Sequence, residues 1–388
     1  MTPFDTQSEV LRLTQDLIAI QSHSDAVDRE TAVGQFLVNW FKTRGIEASA
    51  LPVEGTRANV VARIPGGAGA SLMFNGHLDT VPAGGMANAF EPSVRNGVLW
   101  GRGACDMKGA LAAMACAMAT LIREDEARGL SGDLLFTGTI GEETGSLGVK
   151  ALIEAGITSD YAVVGEPTSS RIGIAHKGAC FIRIFLTGRG AHGSCPEKGV
   201  NAVSYAAQII RNLEGTYRLN LAERVHPLLG CSTVSVGRIV GGTQPNIVAE
   251  SAAIDIDRRT LPNEPSALEE IRQLVGDVCN RVEGLSWRVE EMEETSLVPH
   301  VALGTSADTA LVKVAQQACD GQGLPSEPIG VTYWTDGGHL AASGIQTIVL
   351  GPGDIAHAHG PYEHVAIQDL SMCSDLYKDL ASRLLAAR

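Results

Sequence analysis

Two adjacent glutamates, Glu142 and Glu143, stand in the segment Thr139-Ile-Gly-Glu-Glu-Thr-Gly145. Neighbouring carboxylates repel, and a fold seldom turns both inward without positive charge to hold them. Together with His77, Asp106, Glu166 and His359, they form the donor set of a two-metal hydrolytic centre. One glutamate is then a ligand and the other a base. Two imidazoles and three carboxylates suit two ions, and one further glutamate is left to move a proton. Imidazole and carboxylate donors with an open position favour Zn2+, and Co2+ or Mn2+ is also compatible.

Each candidate sits in its own motif. His77 lies in Asn75-Gly-His-Leu-Asp-Thr-Val-Pro82. Residues two apart in an extended segment share a face, so His77 can meet a metal while Asp79 supports the ring. Alone, a His-x-Asp is a weak signal. Asp106 lies in Gly101-Arg-Gly-Ala-Cys-Asp-Met-Lys-Gly109, where glycines permit close backbone approach. Alone, it reads equally well as a helix N-cap. Glu166 follows an apolar run in Val164-Gly-Glu-Pro-Thr168. His359 lies in Gly351-Pro-Gly-Asp-Ile-Ala-His-Ala-His-Gly-Pro-Tyr-Glu363.

The elements that must position these residues alternate. Helices are expected over 7–22, 29–44, 109–123 and 147–155, with strands over 59–63, 71–74, 133–137 and 161–164. That alternation predicts an α/β fold with a mostly parallel central sheet flanked by helices. The candidates then lie beyond several strand ends of one sheet, where such sheets bind ligands. After Lys177-Gly178 the pattern becomes β-α-β-β-α-β: strand 180–186, helix 201–213, strands 232–239 and 250–258, helix 267–282, strand 286–291. This is a two-layer α+β, ferredoxin-like arrangement. The α/β pattern resumes with a helix over 309–318, a strand over 347–350 and a helix over 370–387. The expected organisation is a catalytic domain of residues 1–177 plus 294–388, interrupted by an inserted domain of residues 178–293.

Composition excludes several classes. A net charge of −14 argues against a nucleic-acid or anionic-membrane partner. The N-terminus lacks a basic start followed by an apolar run, and the apolar stretch 110–122 is too short to span a bilayer. Eight scattered cysteines without Cys-x-x-Cys fit reduced thiols in the cytoplasm. Gly188-Arg-Gly-Ala-His-Gly193 matches a dinucleotide pattern, but Pro196 and Gly199 interrupt any following helix, which disfavours a nicotinamide site. The chain has neither Gly-x-Ser-x-Gly nor His-Glu-x-x-His. Cys105 reads as a packing residue rather than a nucleophile, and the run from Glu290 to Glu294 as a solvated strand end.

The strings GHLDTVP, GRGACDMKG, GEETGS, GEPT, AHKG, GAHGS, GVNAV, DRRTLP and AHGPYEH carry a family resemblance over roughly residues 7 to 385. The chain resembles the dinuclear zinc peptidases and deacylases that include acetylornithine deacetylase, succinyl-diaminopimelate desuccinylase, aminoacylase and glutamate carboxypeptidase. The resemblance implies that Asp106 bridges two metals, with His77 and Glu166 completing one site and Glu143 and His359 the other. It implies Glu142 as general base, Asp79 as the residue orienting His77, and a cis peptide after Asp106. His359, four residues before Glu363, is selected over His357, while His176 becomes a hinge or supporting residue and His339 and His364 lie at the rim or surface.

The inserted domain is implied to be a lid and the seat of a homodimer. From it His192 would stabilise the tetrahedral oxyanion in the active site of the other subunit, and Asn246 and Arg259 would hold the substrate carboxylate; strand alternation turns the neighbouring Arg258 the other way. Gly351–Gly353 and Thr335-Asp336 would shape the pocket wall. Trp334 is expected either to wall an acyl pocket or to pack in the core. The implied activity is amide hydrolysis in an N-acyl amino acid or small peptide, most like an acetylornithine deacetylase. Succinyl-diaminopimelate desuccinylase-like or glutamate carboxypeptidase/dipeptidase-like activity, or a catalytically inactive binding relative, are the alternatives.

Overall fold

The structure, a computed structural model, describes residues 6–292 and 298–386. The chain forms two units. The first comprises Met1–Ala175, Leu303–Val331 and Thr335–Arg388, and the second His176–Ala302 with Thr332–Trp334. The boundary expected between 293 and 294 lies outside the described residues.

The first unit is built on a nine-stranded sheet. Its order is Glu47–Glu54, Arg57–Ile64, Leu134–Thr139, Leu72–His77, Tyr161–Val164, Gln346–Val349, Gly173–His176, Leu303–Gly304, with Ile329–Val331 also paired to Gly173–His176. The four strands from Leu134–Thr139 to Gln346–Val349 run parallel. Their flanks are antiparallel, so the sheet is mixed rather than mostly parallel. The reason is a hairpin of which only the second strand is evident in the sequence pattern. Its turn passes through Gly55, at φ +57, a left-handed conformation that glycine adopts without a Cβ penalty.

The parallel strands are buried on both faces. Leu72 and Phe74 join the large core beneath helices Thr6–Ala19, Thr31–Lys42, Lys108–Arg123 and Ile367–Leu384. Met73 points the other way, into a second cluster with Val149, Leu152, Ala162 and Leu340. Burying a side chain such as Phe74 contributes about 1.5–3 kcal/mol. Because these strands are parallel, their C-terminal ends share one edge. His77 ends one strand; Glu142 and Glu143 follow Thr139, Glu166 follows Val164, and the loop carrying His359 follows Val349. Topology thus gathers residues that lie up to 282 positions apart in the chain.

In the second unit the strands Gly178–Thr187, Thr233–Gly241, Ser251–Thr260 and Ser286–Glu291 form an antiparallel sheet, with Thr233–Gly241 and Ser286–Glu291 at its edges. Helices Ala202–Asn212 and Ala267–Cys279 pack on the face formed by Ile182, Ile184, Leu186, Ile254 and Ile256. Period-two alternation sends Phe181, Asp257 and Arg259 to the opposite face.

Candidate metal centre

His77 is fixed from one side and offered on the other. Its Nδ1 donates to the main-chain carbonyl of Asp79 at 2.9 Å, which turns Nε2 toward the neighbouring carboxylates. Nε2 lies 2.9 Å from Asp106 Oδ1 and 3.6 Å from Glu166 Oε1. The second oxygen of Asp106, Oδ2, lies 3.1 Å from His359 Nε2, which is also 3.1 Å from Glu143 Oε1. Asp106 therefore faces two donor groups, His77 with Glu166 and His359 with Glu143. Donor atoms of His77, Glu142 and Glu166 lie within 4.8 Å of one another, as do those of His77, Asp106 and Glu143.

The turn carrying both glutamates is stapled by side chains. Asp79 accepts the N–H groups of Glu142 at 3.2 Å and Glu143 at 3.1 Å. The Asp79 carboxylate is 3.5 Å from His77 Nδ1, so its closest partners are the glutamate amides and the ring is oriented chiefly by the Asp79 main chain. Asn59 accepts from the Ile140 N–H at 3.0 Å and donates to the Gly148 carbonyl at 2.8 Å. Glu30 accepts from Gly141 and from Arg57 in a buried pair. Gly148 is required here, because a Cβ would meet the Ile140 nitrogen at 2.3 Å.

A second brace joins the Asp106 loop to the His359 loop. One oxygen of the buried Glu363 carboxylate accepts the N–H groups of Gly103, Cys105 and Asp106, each at 3.0 Å. Its other oxygen pairs with fully buried Arg102. Arg102 also donates to the carbonyls of Pro82, Ala83, His359 and Gly360. His359 stands at φ +60, where strain in a non-glycine residue costs on the order of 1–3 kcal/mol and persists only if its surroundings hold it. The Asp106–Met107 peptide is cis. Arg102 is not among the residues that the sequence singles out, although it stands in Gly101-Arg-Gly-Ala-Cys-Asp-Met-Lys-Gly109. A charged residue between two glycines beside a candidate ligand was the available signal.

The site is electrostatically crowded. Burial raises Glu142 well above the usual carboxylate range, and the Glu166 charge adds to this. Glu166 is raised in the same way by burial and the Asp106 charge, and Glu143 by burial despite its bond to His359. Burial would also raise Asp106, but His359 and His77 hold it well below its ordinary value. Burial would lower His77, yet the Glu166, Asp106 and Asp79 carboxylates lift it well above the ordinary imidazole range. Hydrogen bonds to Asp106 and Glu143 push His359 up to about 10. Buried Asp336, which accepts from Thr139 at 2.7 Å, is raised to about 6 by burial. Such a cluster of buried carboxylates and imidazoles fits divalent cations in both charge and donor type.

Other candidates fall elsewhere. Cys105 is buried, and burial with the Asp106 charge pushes its thiol well above the ordinary range, against a nucleophilic role. His357 stacks on His364 at 4.0 Å between centroids. After Gly193 comes a short 3-10 turn at Pro196–Lys198, so no helix N-terminus opens there to hold a dinucleotide. In the second unit His192 bridges Ile247, and Gly193 donates to the Asn246 carbonyl at 2.8 Å. His192 and Asn246 are thus on paired segments. Arg258 is fully buried among Tyr217 and Glu264, while Arg259 lies on the other face beside Asp257. Trp334 stacks on His300 at 4.3 Å.

Comparison with known proteins finds a match to the family model described as peptidase family M20/M25/M40 over residues 73–383. The chain is 31% identical over 329 residues to an acetylornithine deacetylase of Myxococcus xanthus, covering 82% of this chain and 81% of that one. It is 28% identical over 408 residues to a probable succinyl-diaminopimelate desuccinylase of Staphylococcus epidermidis, with 97% of each chain covered. Among solved structures, the aminopeptidase PepT of Bacillus cereus superposes with a TM-score of 0.79 at 23% identity, over 97% of this chain and 98% of that one. A dinuclear metal-binding peptidase of family M20 from Bacillus subtilis superposes with a TM-score of 0.73 at 17% identity, over 98% of each chain.

Proposed function

The chain belongs to peptidase family M20/M25/M40 and is a hydrolytic enzyme, and from that premise we propose that it cleaves the amide bond of an N-acyl amino acid or small peptide. The reading closest to its relatives is an acetylornithine deacetylase-type deacylase. Succinyl-diaminopimelate desuccinylase-like cleavage is the second, supported by the desuccinylase relative. The observation that carries the chemistry is the split of Asp106, one oxygen toward His77 and the other toward His359, beside a buried Glu142.

His77, Asp106 and Glu166 would hold one ion, and Asp106, Glu143 and His359 the other, with Zn2+ the first candidate and Co2+ or Mn2+ next. When bound, these ions supply Lewis-acid chemistry and acidify water near neutral pH. Glu142 then takes the proton of the attacking water and returns it to the leaving amine nitrogen. A carboxylate whose proton affinity is raised by burial is matched to that shuttle. Asp79 keeps Glu142 and Glu143 in register, and Arg102 with Glu363 keeps the Asp106 and His359 loops in place. From the second unit, His192 donates a hydrogen bond to the developing oxyanion, and Asn246 and Arg259 hold the substrate carboxylate. That unit acts as a lid and as the homodimer interface. Eight free cysteines support a cytoplasmic location, and no helix among the described residues is long and apolar enough to cross a membrane.

The decisive experiment is a substrate panel of acetyl, succinyl, formyl, aromatic-acyl and aminoacyl groups on several amino acids, with metal content measured on the same sample. The proposal expects turnover that requires metal and Glu142. No turnover of any member by metal-loaded protein would sink it.

A further inference from the structure

Arg259 is held from several directions. Asp257 stands two residues earlier on the strand Ser251–Thr260 and so shares its face. The Arg259 Nη2 donates to Asp257 Oδ2 at 2.9 Å, and Nε lies 2.8 Å from Oδ1. The guanidinium carbon lies 5.3 Å from the centroid of the Trp334 ring and 5.5 Å from that of Phe181. Phe181 is the cross-strand partner of Asp257. Trp334 is anchored in turn by its stack on His300, at an interplanar angle of 18°. Both aromatic rings thus have a place in the packing beside Arg259. Among the described residues, Arg259 Nη1 has no hydrogen-bond partner.

We propose that Asp257 and Trp334, backed by Phe181, are positioning residues that preset Arg259 as the anchor for the free carboxylate of the substrate's amino-acid portion, making that carboxylate a condition of efficient turnover. The proposal rests on the reading of Arg259 as a carboxylate ligand and says what makes it effective. Asp257 occupies the Nε side of the guanidinium and turns Nη1 outward, so a carboxylate meets an oriented donor. The ring faces attract the cation and restrict its rotation. A flexible arginine would instead lose its freedom at each binding event. Trp334 is then a support for the anchor rather than an open wall for the acyl group.

The test compares one N-acyl amino acid with its carboxamide analogue, read as the ratio of kcat/KM for acid over amide. Arg259→Met tests the underlying reading and should collapse that ratio. Trp334→Leu should lower it about fivefold through KM, because the anchor acts alike in ground and transition state. Trp334→Phe, which keeps a ring face, should recover most of it. Asp257→Glu keeps the charge but displaces it by one methylene, and should lower the ratio about fivefold if geometry is what matters. If Arg259→Met leaves the ratio intact, the carboxylate reading falls. If Arg259→Met collapses it while Trp334→Leu and Asp257→Glu slow acid and amide equally, or neither, the reading stands and the positioning proposal is overturned.

Discussion

The carboxylate of Asp79 grips the backbone of Glu142. Its Oδ1 accepts the Glu142 N–H at 3.2 Å while Oδ2 accepts the Glu143 N–H at 3.1 Å, and the Asp79 carbonyl accepts a hydrogen bond from His77 Nδ1. One residue therefore positions a proposed ligand on each side of Asp106 together with the candidate base. Asp79→Asn presents an N–H group where an acceptor is needed for one of the two amides. Activity should fall about 10–100-fold, in line with other changes behind metal ligands. Steady-state kinetics with metal analysis checks this, and wild-type values would show that the turn holds without the carboxylate.

Glu142→Gln removes the proposed proton shuttle and keeps the side chain's size. Losing general acid–base catalysis should lower kcat about 10²–10⁴-fold. Two metals per chain should remain, because the ligand assignment leaves Glu142 outside both sets. Loss of metal in step with activity would reassign Glu142 as a ligand.

Glu363→Gln leaves buried Arg102 without its counter-charge and weakens acceptance of three loop amides. Breaking one partner of a buried pair costs about 3–5 kcal/mol. Denaturant unfolding of metal-loaded protein should show a loss of that size. Arg102→Lys should also lower stability although it keeps the charge, because a single ammonium cannot reach the carbonyls of Pro82, Ala83 and Gly360 as the guanidinium does. A change below about 1 kcal/mol for Glu363→Gln would rule out the brace.

Chelation should lower the unfolding temperature, and added Zn2+ should restore it, since an ion bound only by the folded state stabilises it. His359 is pushed up to about 10, so near pH 7 in the metal-free form it carries a proton that must leave before Nε2 can bind a cation. Metal uptake should therefore release protons, and apparent affinity should rise with pH. Calorimetry in two buffers of different ionisation enthalpy measures the release. Uptake with no proton released would contradict this account.

Much of the donor set could be read locally, and the structure supplies its assembly. Glu142, Glu143, Glu166 and His77 are visible because each sits beside a strand end marked by glycine or proline, and a strand end is a local pattern. The antiparallel flank of the sheet is not legible as such, because the strand Glu47–Glu54 lacks clean alternation and carries Pro52. Arg102 was hidden for a different reason. A buried arginine has no periodic signature, and its partners Glu363 and Pro82 are 261 and 20 residues away.

The sequence by itself determined the reaction class, through motifs that are weak singly and specific as a set, and the alternation of helix and strand that sets the fold class. Only the tertiary structure decided that Asp106 turns one oxygen to His77 and the other to His359, and that Phe181 and Trp334 come to lie beside Arg259. These outcomes depend on which strand ends meet and which sheet face a helix covers. Such relations are set by long-range packing and are not encoded in any short stretch of chain.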